Sequence, residues 1–240
     1  LISNSLSTLI TLLFLTFKGY GFINLIISNY YEIPFLQSSI FFLTLFVLTD
    51  LISIPFSCYN TFVIEEKYGF NKMTVKTFIF DKIKSYLLTI FLGGALLYGA
   101  LFLLNILENG FWFSLWLSLS ILMLLINMFY ADIIVPIFNK LKPLESGSLR
   151  EKIEQYSQKV GYSLKNIYVI DGSKRSSKAN AFFSGLGPRK TIALYDTLIA
   201  NHTEEELVAV LAHEVGHFKK KHIVTSLILT ILQLGLMSFL

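Results

Sequence analysis

One cysteine, Cys58, stands among 240 residues. No intrachain disulfide can form, and no cage of Cys ligands can hold a metal. Charge is scarce as well. Asp, Glu, Lys and Arg make up 15% of the chain, where a soluble domain carries about 25%. No Asp or Glu follows Glu214. The first residue is Leu, no charged stretch precedes the first apolar run, and no small-residue cleavage site follows it. The expectation is a truncated N-terminus rather than a signal peptide. What fills the chain instead is apolar: 54% of the residues are hydrophobic, and 22 are Phe. That composition moves it out of the soluble class. The alternative is a set of buried core helices in a larger soluble protein.

Crossing a bilayer takes roughly 20 apolar residues in a helix. The runs at 36–58, 86–104 and 111–130 meet this, 223–240 nearly does, and 6–17 reads as part of an earlier span. The expected fold class is mainly α, a multi-span transmembrane helical protein with a small α+β cytoplasmic region. The expected organisation is an N-terminal transmembrane region over 1–130 with a cytoplasmic loop at 59–85. A polar region over 131–222 and the start of a further span over 223–240 follow. If spans alternate sides, 59–85 and 131–222 share one side, and 18–35 and 105–110 share the other. The first pair holds 19 of the 20 Lys and Arg residues, leaving Lys18 opposite. By the positive-inside rule the basic side is cytoplasmic. The membrane is expected to be the endoplasmic reticulum in a eukaryote and the inner membrane in a bacterium. Asp50 lies inside the run at 36–58. Such a carboxylate either meets a partner or a water-filled cavity, or it sits near a span end and reaches the interface.

Between 131 and 222 the pattern is that of a compact domain. Ser148 and Glu151 fit a capping box, and Leu149, Ile153, Tyr156 and Val160 follow at helical spacing up to Gly161. Strands are expected at Asn166–Ile170, Ala181–Phe183 and Thr191–Leu194, with a turn at Gly185–Pro188. A second capping box, Thr203 with Glu206, opens a helix that has Glu204–Glu206 in its first turn and Lys219–Lys221 toward its end. Both charge runs suit the helix dipole. With a net charge of only +4, no nucleic-acid partner is expected.

That helix carries His213-Glu214-Val215-Gly216-His217. Residues four apart on a helix lie about 40° apart, so two imidazoles can share one metal ion. The pattern is that of a zinc peptidase, with His213 and His217 as ligands of one Zn2+ and Glu214 as the base for the attacking water. Small Gly216 suggests close approach of a neighbouring element. A third ligand is required. His222 is nine residues from His213, about 180° around one continuous helix, and His202 precedes the N-cap, so neither suits. The opposing view is two histidines on a polar helix face.

Three further stretches extend the match: Pro55–Lys72, Asp171–Ser177 with Asn180-Ala181-Phe182, and Asp196-Thr197-Leu198 leading through Glu205-Glu206-Leu207 to His217. With the zinc motif they resemble the integral-membrane zinc metalloendopeptidases of the type I CAAX prenyl protease family, over roughly residues 36–240. The resemblance implies a ring of transmembrane helices around a water-filled chamber. It also implies removal of a C-terminal tripeptide after a prenylated cysteine, so the partners are a peptide or protein substrate, possibly prenylated, and the lipid bilayer. Asn180 and Ala181 match the edge segment that binds substrate backbone. The third ligand in the family is a Glu on a later helix, expected here beyond residue 240, so these 240 residues alone are expected to be a fragment without activity. The alternatives are an HtpX-like membrane quality-control protease and a catalytically silent membrane scaffold.

Overall fold

A computed structural model describes residues 2–107, 110–161, 166–184 and 191–240, with side chains except at 2, 3, 183, 184, 217 and 218. The chain opens with α1 (Ile2–Thr16), α2 (Gly19–Tyr30), α3 (Pro34–Tyr59), α4 (Val75–Ile106) and α5 (Phe111–Phe129). Then come α6 (Val135–Phe138), β1 (Leu141–Pro143), α7 (Ser148–Lys159), β2 (Asn166–Ile170), β3 (Ala181–Ser184) and β4 (Thr191–Tyr195). The last elements are α8 (Asp196–Asn201), α9 (Glu204–Lys219) and α10 (His222–Phe239). α3 and α5 each run on into a π-helical turn, at Asn60–Glu65 and Tyr130–Ile134.

Among the described residues, four helical stretches are long and apolar enough to cross a membrane: Pro34–Glu65, Val75–Ile106, Phe111–Phe138 and His222–Phe239. α1 and α2 pass the same test only together, as a pair bent by 64°. Lys18, left-handed at φ 54°, lies at that bend. The partial span at 6–17 is therefore followed by a second helix, not by the plain connecting segment expected over 18–35. Gly19, Gly21 and Asn24 dilute the apolar run, yet a segment in lipid must satisfy its own backbone, and helix is the way to do so. Large apolar side chains such as Leu51, Leu87 and Phe91 are exposed, as lipid-facing positions would be.

The chain divides into two compact units, Leu1–Gly69 with Ser85–Ile106, and Phe70–Lys84 with Leu107–Leu240. In the first, the Tyr86 hydroxyl on α4 donates to the Asp50 carboxylate on α3, and Phe46 meets the Tyr86 ring edge-on at 5.6 Å. Of the two readings of Asp50, a partner inside the span is the one seen.

In the second unit, the sheet order is β1-β2-β4-β3, with β2 and β4 parallel and both outer pairs antiparallel. Ile167, Ile192 and Leu194 pack with Leu144, Ile153, Leu198, Leu207, Leu211 and Val215 into one core. Each such aliphatic side chain, fully buried, contributes roughly 1.5–3 kcal/mol. α5 and α10 pair through the indole of Trp116, which donates to the Ile231 carbonyl at 2.8 Å. Gly235 makes room for that ring, since a Cβ there would lie 3.1 Å from Trp116 Nε1.

The expected helix at 148–160 is present, with Ile153 fully buried and Gly161 at φ 65° just past its end. Its capping box is not formed. Gly147 is the N-cap, and the Ser148 hydroxyl donates across to Glu204 on α9. The strand at 166–170 lies where the β-branched and aromatic run puts it, and β3 and β4 each run one residue further than expected. The turn at 185–188 lies outside the described residues. β1 has no counterpart in the sequence reading. The second capping box does form: the Thr203 N–H donates to Glu206 at 2.8 Å, and the Glu206 N–H donates to Thr203 Oγ1 at 3.3 Å. Thr203→Ala should therefore destabilise the second unit by about 1 kcal/mol, read by denaturant unfolding, while Ser148→Ala should show no loss of an N-cap.

Candidate metal centre and peptide edge on helix α9

Leu207, Leu211 and Val215 recur every fourth residue on α9 and are almost fully buried, which fixes how the helix is turned against the sheet. Position 213 lies about 200° around from position 211. His213 is accordingly exposed, Glu214 is half-buried, and position 217 falls about 40° from position 213. A Cβ on Gly216 would meet open space, so the expected close approach at that residue is not seen.

The start of α9 is clamped to α7. Lys152 Nζ lies 2.8 Å from Glu204 and 2.5 Å from Glu205, and Ser148 bonds the same Glu204. The Lys152 ammonium, then the Ser148 hydroxyl, hold Glu204 below the ordinary carboxylate value; Lys152 does the same for Glu205. The two carboxylates raise Lys152 in turn, Glu204 more than Glu205. The depressed carboxylates contribute stability that is present above their ordinary value of 4.5 and lost as pH falls through their lower folded values. The raised ammonium contributes stability that is full below 10.5 and lost as pH rises through its higher folded value. All three are surface groups, so the effect is small and screened by salt. Lys152→Met should flatten the acid limb of a melting-temperature profile at low ionic strength. An unchanged limb would remove the clamp as its cause.

Beside α9 lies β3, the edge strand of the sheet. The segment leading to it is pinned by Arg175. The Arg175 guanidinium forks onto Asp81 at 2.7 and 2.9 Å and also donates to the Phe138 carbonyl at 2.6 Å. Its backbone carbonyl accepts from Lys72 at 3.0 Å, and the Ser177 N–H donates to the Phe70 carbonyl at 2.9 Å. On the same segment Gly172 faces the Tyr195 ring, where a Cβ would come within 2.1 Å. Asp196 accepts from the backbone of Ser173 and Thr197, both at 2.8 Å. In the sequence Arg175 and Asp196 stand out only as parts of the family-like stretches. Neither positioning role has a local signal, because the partners are distant in sequence. Tyr130 from the π-helical turn meets the Phe182 ring at 6.2 Å.

Residues 1–140 match the family described as CAAX prenyl protease N-terminal, five membrane helices, and residues 143–240 match peptidase family M48. The chain belongs to the CAAX prenyl protease family of M48 peptidases. It is 44% identical over 193 residues to CAAX prenyl protease 1 of Saccharomyces cerevisiae, covering 80% of this chain and 43% of that protein. The human CAAX prenyl protease 1 homolog is 35% identical over 239 residues, covering 83% of this chain and 50% of the relative. The crystal structure of S. mikatae Ste24p superposes with a TM-score of 0.87 at 38% identity, over 98% of this chain and 55% of that one. The chain thus spans about half the length of the curated relatives it matches. It is an integral, multi-pass membrane protein, and its family implies a metal cofactor.

The donors on α9 fit such a metal in part. Two imidazole positions one helical turn apart suit a nitrogen-preferring divalent ion. Among the described residues, no three His, Cys, Asp or Glu side chains gather. His202 instead lies against the Leu198 carbonyl at 3.0 Å, at the end of α8. His222 does not continue the helix of His213, so the 180° offset of a continuous helix does not describe it. α9 stops at Lys219, Lys221 turns left-handed at φ 57°, and His222 opens α10.

Proposed function

We propose that this chain carries the membrane region and two of the metal ligands of a zinc metalloendopeptidase that cleaves C-terminally prenylated peptides. The carrying observation is one helix, α9, on which His213 is exposed and Glu214 half-buried, with position 217 one turn on from His213, and which packs against an edge strand. His213 and His217 would hold the zinc, with a Glu outside the described residues as third protein ligand. Bound there, zinc would polarise the scissile carbonyl and lower the pKa of water. Glu214 takes the proton from the attacking water and passes it to the leaving amine. Asn180 and Ala181 align an extended substrate by strand addition. The basic segments 59–85 and 131–222 face the cytoplasm, which presents the site to a lipid-anchored cytoplasmic chain end. The names of the relatives support the prenylated substrate.

The test uses the full-length protein in proteoliposomes with a farnesylated C-terminal peptide and its unprenylated twin. Cleavage of the farnesylated peptide should dominate, vanish with a chelator and return with zinc. Equal cleavage of both peptides would favour the quality-control reading. Cleavage that survives the chelator would sink the metalloprotease reading.

A further inference from the structure

The Tyr195 N–H donates to the Asn180 carbonyl at 3.0 Å, and Ala181 stands opposite Leu194 in the antiparallel register. Hydrogen-bonded and non-hydrogen-bonded pairs alternate along such a ladder. Asn180 and Tyr195 form a bonded pair, so Ala181 and Leu194 form a non-bonded one. The N–H and C=O of Ala181 therefore point away from β4, toward the free side of the sheet. An exposed N–H there is an invitation to any extended chain. It is already taken: Asn180 Oδ1 accepts it at 2.9 Å. The Asn180 side chain is exposed, so nothing in the core holds it in that position.

We infer that Asn180 is a latch on the peptide-binding edge. In the substrate-free chain its carboxamide oxygen occupies the Ala181 N–H, which blocks indiscriminate strand addition. An incoming peptide carbonyl takes over that N–H, and the carboxamide swings out, free to bond the newly added strand. One hydrogen bond is exchanged for another, so opening is nearly neutral for a peptide that can pair. It is uphill for an apolar surface that cannot. The proposal rests on the peptidase reading only for what displaces the latch.

Residue-resolved amide exchange on the full-length protein in nanodiscs tests it. Without peptide, Asn180→Ala should speed exchange at Ala181 by about tenfold or more, while Phe182, in the next inward-facing pair, stays protected. Asn180→Asp keeps an acceptor and should keep Ala181 slow. Equal Ala181 exchange in wild type and Asn180→Ala would overturn the latch. A second arm adds a farnesylated peptide to protein carrying Glu214→Gln, with and without Asn180→Ala. Protection of Ala181 should return in the Asn180→Ala background. If the latch arm succeeds but peptide restores nothing, the edge is not where this peptide pairs, and the substrate reading fails by itself.

Discussion

Glu214→Gln in the full-length protein should lower the rate of peptide cleavage by about 10²- to 10⁴-fold, the range for loss of a positioned general base, while zinc content stays at one per chain. Glutamine keeps the shape and hydrogen-bonding reach of glutamate but cannot accept a proton at neutral pH. Glu214 is half-buried and lies outside the core of the second unit, so the fold has little reason to respond. His213→Ala supplies the contrast: it should lose metal and activity together, because it removes a nitrogen donor. The measurements are metal analysis by mass and single-turnover cleavage of the farnesylated peptide. Undiminished cleavage by the Gln variant would remove Glu214 as base. Loss of metal in the Gln variant would show that it acts on the site's assembly instead.

Arg175→Ala should be the most destabilising single change in the second unit outside the aliphatic core. Breaking a fully buried ion pair costs about 3–5 kcal/mol, because the partner is left uncompensated. Here the two side chains are 17% and 18% exposed, so water recovers part of that, and a loss of roughly 2–4 kcal/mol is expected. Arg175→Lys should rescue only partly. An ammonium cannot fork onto both Asp81 oxygens and still reach the Phe138 carbonyl. A double change, Arg175→Met with Asp81→Leu, should recover more stability than the Lys variant. Denaturant unfolding of the protein in detergent reads all three. A loss below about 0.5 kcal/mol for the Ala variant, the size of an ordinary surface substitution, would show that the pair holds nothing.

These two residues also mark what could be read from the chain and what could not. The His213–His217 motif and the cap that starts its helix are local patterns, five and four residues long, and the helix forms where they put it. β2 is a short run of β-branched and aromatic residues and is equally local. Arg175 is different, because its partner is 94 residues away. β1 is three residues long and includes Lys142 and Pro143; it is a strand because β2 offers a free edge, not because of its own preferences. Ser148 failed as a cap for the same kind of reason. A carboxylate 56 residues on, Glu204, competes for its hydroxyl and is the stronger acceptor. The completion of the proposed ligand pair is not contained in any pattern, since an exposed helix face needs covering groups from elsewhere.

Lys221 has one consequence beyond its backbone angle. The N–H of Lys220 still donates to Gly216 at 3.0 Å, and the carbonyl of Lys221 already accepts from Thr225 at 2.9 Å. The motif helix and the helix that follows therefore share a short joint, Lys220 and Lys221. Their rotations are locked in phase. Inserting a residue at the joint would change how α10 is set on α9 and carry Ile231 and Gly235 off Trp116. The length of this joint is what keeps Trp116 and Ile231 in reach of each other.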